Sequence, residues 1–198
     1  GCELLITRSR LAAADYLLLF HALRELFMDK SELASRIKEA AYLEGDFVLR
    51  SGKRSKYYLD KYLFETQPDI LAELGRLFAA RADDADVIAG AELGGVPLAA
   101  AAAIAAGKRF VIIRSGKKEY GTAKQLEGRL DAGNRVLLIE DVATTGGQVL
   151  EAAKILTDAG ATVTKIVCTI DRMEGARENI ESAGYTFEAL LTREDLGL

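Results

Sequence analysis

A chain of 198 residues that is 49% hydrophobic and 28% charged has the size of one ordinary domain and the make-up of a soluble globular protein with a substantial core. Its net charge of −4 gives no reason to expect nucleic acid as a partner, because domains that bind it are usually basic. One histidine, His21, excludes a multi-histidine metal site and argues against a histidine-based nucleophile; two distant cysteines, Cys2 and Cys168, exclude a disulfide framework and fit a reducing cytosol.

Residues 1–27 read as foreign to the rest. Met28-Asp29-Lys30-Ser31-Glu32-Leu33 looks like a native start, so what precedes it is expected to be an extension or a remnant, with a helix docked on the core as the rival. Leu19, Leu23, Leu26 and Phe27 recur at helical spacing there. His21, Arg24 and Glu25 make the stretch too charged and too short to span a membrane, and it lacks a signal peptide's pattern. Residues 29–43 predict an amphipathic helix capped by Asp29 or Ser31 and stopped by Gly45. Two strands follow, 47–51 and 56–63, around the turn 51–55. Pro68 opens a helix with Ile70, Leu71, Leu74, Leu77 and Phe78 on one face.

From there strands and helices alternate. Strands are predicted at 86–91, 109–114, 135–141, 162–170 and 186–191, and helices at 97–106, 147–159 and 175–183. That order implies right-handed crossovers and a mostly parallel sheet. The alanine-rich run 99–106 reads as a closely packed helix, and Cys168, within an apolar run, as a core thiol.

The most informative stretch is Val136-Leu137-Leu138-Ile139-Glu140-Asp141-Val142-Ala143-Thr144-Thr145-Gly146-Gly147-Gln148. Four apolar residues run into two acids, then into a small-residue and hydroxyl turn that opens a helix. In open parallel sheets ligands bind at such strand ends. The amides of residues 144–148 can ring a phosphate, helped by the helix dipole, and the acids can accept paired sugar hydroxyls. An ordinary strand–turn–helix is the alternative. The string resembles the phosphoribosyl pyrophosphate (PRPP) signature of type I phosphoribosyltransferases, matching it without a gap.

Four further stretches carry the resemblance. Asp46-Phe47-Val48-Leu49-Arg50-Ser51-Gly52-Lys53-Arg54-Ser55-Lys56-Tyr57-Tyr58 joins a basic turn to two tyrosines, suited to polyanions and a flat base, or simply a solvated hairpin. It is similar to the N-terminal hood signature of orotate phosphoribosyltransferases, with Arg50 where that family usually has Lys, which keeps the charge but changes its reach. Asp171-Arg172-Met173-Glu174-Gly175 ends a later strand. Arg172 can grip a carboxylate in bidentate fashion, or form a surface ion pair with Asp171. The same family has Asp-Arg-x-Glu-Gly there, its Arg contacting orotate. Glu92-Leu93-Gly94-Gly95, between a strand and a helix, resembles the family's pyrophosphate loop, which often has a non-proline cis peptide; Glu92–Leu93 is the bond if this chain keeps it, which sequence does not decide. Arg114-Ser115-Gly116-Lys117-Lys118-Glu119-Tyr120-Gly121 has the charge and glycine of a mobile loop and resembles the family's catalytic lid. Arg114, Lys118 and Tyr120 match it; Ser115 stands where the family has a catalytic Lys.

The resemblance implies the type I phosphoribosyltransferase fold: a mostly parallel five-stranded core sheet with helices on both faces and a small hood. The hood would be residues 28–65 and the core 66–198. It implies transfer of the phosphoribosyl group from PRPP to orotate, giving orotidine 5′-monophosphate and pyrophosphate in pyrimidine biosynthesis. Arg114, Lys118 and Asp141 would be catalytic. PRPP would be held by Arg114, Lys117, Lys118, Tyr120, Glu140, Asp141 and the loop Val142, Ala143, Thr144, Thr145, Gly146, Gly147 and Gln148; pyrophosphate by residues 92–95; orotate by Thr144, Arg172, Arg50 and Tyr58. Mg²⁺ would come through PRPP and water rather than protein ligands. A cytoplasmic homodimer is implied, each lid reaching its partner's site, with no nucleic acid and no membrane. Two other functions remain open: a phosphoribosyltransferase for another base, and a PRPP-binding regulatory protein with reduced catalysis, which Ser115 favours.

Overall fold

A computed structural model of the protein describes residues 27–48, 52, 54–116 and 125–198. Helix α1 spans Lys30–Ala41, and Asp29 caps it by accepting the Glu32 N–H at 2.9 Å. Leu33, Ala34, Ile37 and Ala41 form its buried stripe. The helix ends earlier than the glycine signal suggests. Tyr42 is already extended and starts strand β1, Tyr42–Val48, which pairs antiparallel with β2, Arg54–Leu59. Cross-strand stacking decides this: the Tyr42 and Tyr57 rings lie 5.6 Å apart at 19°. Gly45 is therefore not a helix stop but part of the irregularity between Glu44 and Phe47.

Strand β2 also stops short of the expected residue 63. Asp60 accepts the Tyr62 N–H at 3.1 Å and so caps a short helix, α2, Lys61–Glu65. Helix α3, Pro68–Ala79, follows with Pro at its first turn.

The core sheet contains β3 (Val87–Ala91), β4 (Arg109–Ile113), β5 (Leu126–Glu127), β6 (Arg135–Ala143), β7 (Thr162–Asp171) and β8 (Phe187–Thr192), in the order β5-β4-β3-β6-β7-β8. The helices are α4 (Gly95–Ala106), α5 (Gly147–Asp158) and α6 (Ala176–Ser182). The five strands read from the sequence are parallel. The sixth, β5, is antiparallel to β4 and only two residues long, too short to leave a periodic signal.

The sheet is covered on both faces, which is why its strands read as continuous apolar runs. Leu137 and Ile139 of β6 pack with α1, α3 and α4, whereas Val136 and Leu138 pack with α5 and α6. From β3 the chain moves outward to β4, then returns to place β6 on the other side of β3. The loops after β3 and β6 thus leave the sheet in opposite directions, and the crevice between them is where open α/β sheets bind ligands.

Glycine at position 90 lets β3 and the start of α4 pack backbone to backbone. A Cβ there would lie 2.1 Å from the Gly95 carbonyl oxygen and 2.6 Å from its carbon. Backbone cannot yield as a side-chain tip does, so Gly90→Ala is expected to cost about 3 kcal/mol, the upper range for overpacking, and to lower Tm by about 6–12 °C. A melting temperature within about 2 °C of the wild type would show that the close approach is not needed.

Candidate active site

Two adjoining cavities open at the carboxyl ends of β3 and β6. Lys61, Glu92, Arg114, Ser115, Asp141 and Gln148 line the first; residues 142–149 line the second; Glu140 lines both. The second is the phosphate-type loop. Gly146, in the left-handed region at φ 79°, turns the chain into α5, so the first amides of that helix lack intrahelical carbonyl partners and face outward along the dipole. Asn179 of α6 donates to the Thr145 carbonyl at 2.9 Å and pins the loop from behind. Thr144, Thr145, Gly147 and Gln148 are exposed.

The two acids sit at the end of a fully buried strand segment and are themselves buried, Glu140 at 9% and Asp141 at 3% exposure. The pleat of β6 sends them to opposite sides of the sheet edge, Asp141 with Leu137 and Ile139, Glu140 with Val136 and Leu138. Burial, and then the neighbouring Asp141 charge, pushes the Glu140 carboxyl up. Asp141 Oδ1 accepts its neighbour's N–H from Val142 at 2.5 Å, and Oδ2 accepts the Lys61 ammonium at 2.5 Å. Burial works to lower the Lys61 pKa, but the charge and hydrogen bond of Asp141 outweigh it, leaving it raised. Gly94 closes the same spot, since a Cβ on it would stand 1.8 Å from Asp141 Oδ2.

The loop after β3 carries a cis peptide at Glu92–Leu93, which the sequence did not decide. Its Glu92 is tied to the start of the next loop: Ser115 donates both its N–H and its hydroxyl to Glu92 Oε1, each at 2.8 Å. The Ser115 hydrogen bonds, first the backbone and then the side chain, hold the Glu92 carboxyl below its usual pKa. Arg114 lines the cleft beside them, 3.6 Å from Glu127.

Comparison with known proteins agrees with this arrangement. The Phosphoribosyl transferase domain family matches residues 64–189. An orotate phosphoribosyltransferase of Halobacterium salinarum is 48% identical over 166 residues, covering 83% of this chain and 95% of that protein. One from Methanocaldococcus jannaschii is 42% identical over 169 residues, covering 84% and 96%. The crystal structure of the Mycobacterium tuberculosis orotate phosphoribosyltransferase matches with a TM-score of 0.78 and 32% identity, covering 86% of this chain and all of that one. The chain belongs to the orotate phosphoribosyltransferase family.

The fold is the family's type I fold, and five parallel strands with helices on both faces realise it. Of the residues singled out from the sequence, the fold brings Glu92, Arg114, Glu140, Asp141 and Gln148 to one cleft and 142–148 to the adjoining loop. Arg172 lines neither cavity, but its N–H donates to the Ala143 carbonyl at 2.9 Å, which puts its backbone against the loop. Its guanidinium pairs with Glu174 at 3.0 Å rather than with Asp171, whose Oδ1 accepts the Met173 N–H. Tyr58 is half exposed on the hood hairpin and packs on Phe47, ring centroids 5.6 Å apart. Arg50, Lys117, Lys118, Tyr120 and His21 lie outside the described residues.

Lys61 was not among the residues read as functional, because 56–63 reads as one strand. The signal for it was Asp60 as a helix cap, which would have placed Lys61 and Glu65 one turn apart on a common face.

Proposed function

We propose that this chain transfers the 5-phosphoribosyl group from PRPP to orotate, releasing pyrophosphate and forming orotidine 5′-monophosphate. The observation that carries the reading is the meeting, at the β3–β6 crevice, of a phosphate-type loop at a helix N-terminus with a buried acid pair and a second loop holding Glu92–Gly95. Residues 144–148 hold the 5′-phosphate through their amides. Asp141 and Glu140 accept the ribose hydroxyls, and residues 92–95 face the pyrophosphate. Arg114, with Lys117, Lys118 and Tyr120 of the lid, neutralises charge on the leaving pyrophosphate; Thr144, Arg172, Arg50 and Tyr58 orient orotate. A glycosyl transfer with oxocarbenium character needs alignment and charge neutralisation more than proton transfer. A site built from carboxylates, amides and cations supplies those.

Among the described residues no group of three or more His, Cys, Asp or Glu side chains is placed to hold a metal. Mg²⁺ is expected to enter on the oxygens of PRPP with its waters, where it would offset phosphate charge. Lid residues reaching a partner's site make the working form a homodimer, and the expected location is the cytoplasm. No helix among the described residues is long and apolar enough to cross a membrane.

The test is a pyrophosphate-release assay with PRPP and Mg²⁺. Release is expected with orotate and not with adenine or uracil; consumption of either of those with no orotate turnover would sink the reading. PRPP binding without turnover of any base would indicate a regulatory protein instead. Ser115→Lys run in parallel is expected to stay within about tenfold of wild type, because the backbone N–H bond to Glu92 survives and one hydroxyl bond is lost. A gain beyond tenfold would show that the absent lysine limits turnover.

A further inference from the structure

Lys61 stands at the centre of an unusual charge arrangement. Three carboxyls, Glu65, Glu140 and Asp141, act electrostatically on one another around its ammonium. Among the described residues Asp141 is the one hydrogen-bond acceptor for Lys61. Glu65 sits one helical turn away, is 1% exposed, and has no hydrogen-bond partner for either carboxylate oxygen among the described residues. Burial first, then the charge of Asp141, pushes its pKa up to about 8, so near neutral pH it is uncharged. An ionised Glu65 would compete for Lys61 as an i,i+4 partner; the neutral one does not.

An ammonium carries three N–H donors, and Asp141 takes one. The Lys61 side chain keeps about a third of its surface exposed, 32%, and it lines the same cleft as Glu92, Arg114 and Ser115. Its contact atom, Asp141 Oδ2, lies directly over Gly94, where there is no space for a side chain. The ammonium is therefore held next to the Glu92–Gly95 loop, in a cleft lined by four acids, Glu92, Glu140, Asp141 and Glu151, and by Arg114 as the other cationic group among the described residues. A polyanion entering such a cleft needs cations, and position 115 carries serine.

We propose that Lys61 contacts the pyrophosphate group directly, with Asp141 anchoring its ammonium beside the Glu92–Gly95 loop, and that it supplies there the positive charge that Ser115 does not. The proposal deepens the PRPP reading above and rests on it. Asp141 has two duties in this arrangement, ribose hydroxyls and Lys61, whereas Lys61 serves the diphosphate.

Inorganic pyrophosphate separates the two, because it has no ribose. Titration calorimetry of the full chain with pyrophosphate and Mg²⁺ is expected to show Lys61→Met binding about 10- to 100-fold more weakly than wild type, the size of one or two lost charged hydrogen bonds. Lys61→Arg should recover to within about fivefold, with thermal melts confirming that each variant folds. The proposal is overturned if Lys61→Met binds pyrophosphate like wild type while PRPP turnover falls, which would leave Lys61 acting only through Asp141. Failure of the wild type itself to bind pyrophosphate or PRPP would instead defeat the underlying functional reading.

Discussion

Asp141→Asn is expected to lower kcat/KM for PRPP by about 10²- to 10³-fold while changing the KM for orotate by less than about threefold. The substitution keeps shape and keeps an acceptor for the Val142 N–H, so the local backbone survives. It removes the negative charge that binds sugar hydroxyls and Lys61. Hydrogen bonds to a charged group contribute about 1.5–3 kcal/mol each, and each 1.4 kcal/mol is tenfold in rate. Two such bonds to a ribose amount to about 3–6 kcal/mol, about 10²- to 10⁴-fold, and the amide keeps part of this by still offering one oxygen, which gives the stated range. The Lys61 ammonium also loses its ionic partner in a half-buried setting, so a drop in thermal stability should accompany the kinetic loss. Steady-state kinetics with PRPP varied at saturating orotate provide the measurement. Unchanged kinetics would refute the assignment of Asp141 to the ribose.

Arg172→Ala is expected to weaken orotate binding by about 100-fold and PRPP binding by no more than about threefold. A guanidinium fork and a carboxylate make two parallel charged hydrogen bonds, and alanine removes both. That guanidinium pairs with Glu174, which is exposed and so held weakly enough to give way to an incoming carboxylate. Arg172→Lys should recover only part of the loss, since a point charge cannot reproduce the fork. Equal losses for orotate and PRPP would mean that Arg172 merely supports the Asp171–Gly175 turn.

Several elements were legible because their signals are local. Strands β3, β4, β6, β7 and β8 appeared in the sequence to within two residues at each end, as did helices α4, α5 and α6, since apolar runs and helical periodicity are dictated by two-sided burial. The hood was less legible. Whether Tyr42 continues a helix or begins a strand depends on the ring it stacks on across the hairpin, Tyr57, which local propensity does not contain. The two-residue β5 exists only because β4 offers it an edge. Similarly, 56–63 had the composition of a strand throughout, and one capping carboxylate, Asp60, divided it.

The sequence by itself determined the alternating core, the acid pair at the end of β6, the loop that follows it, and the family. Each of these is a contiguous string whose chemistry travels with its spacing. Only the tertiary structure decided what those strings face. The switch in strand order set the β3 and β6 loops on either side of one crevice. The pleat sent Glu140 and Asp141 to opposite sides of the sheet. A helix from the far N-terminal side brought Lys61, 80 positions away in the chain, onto Asp141, and buried Glu65 beside them. Such contacts arise from packing between distant segments, and no local pattern encodes them.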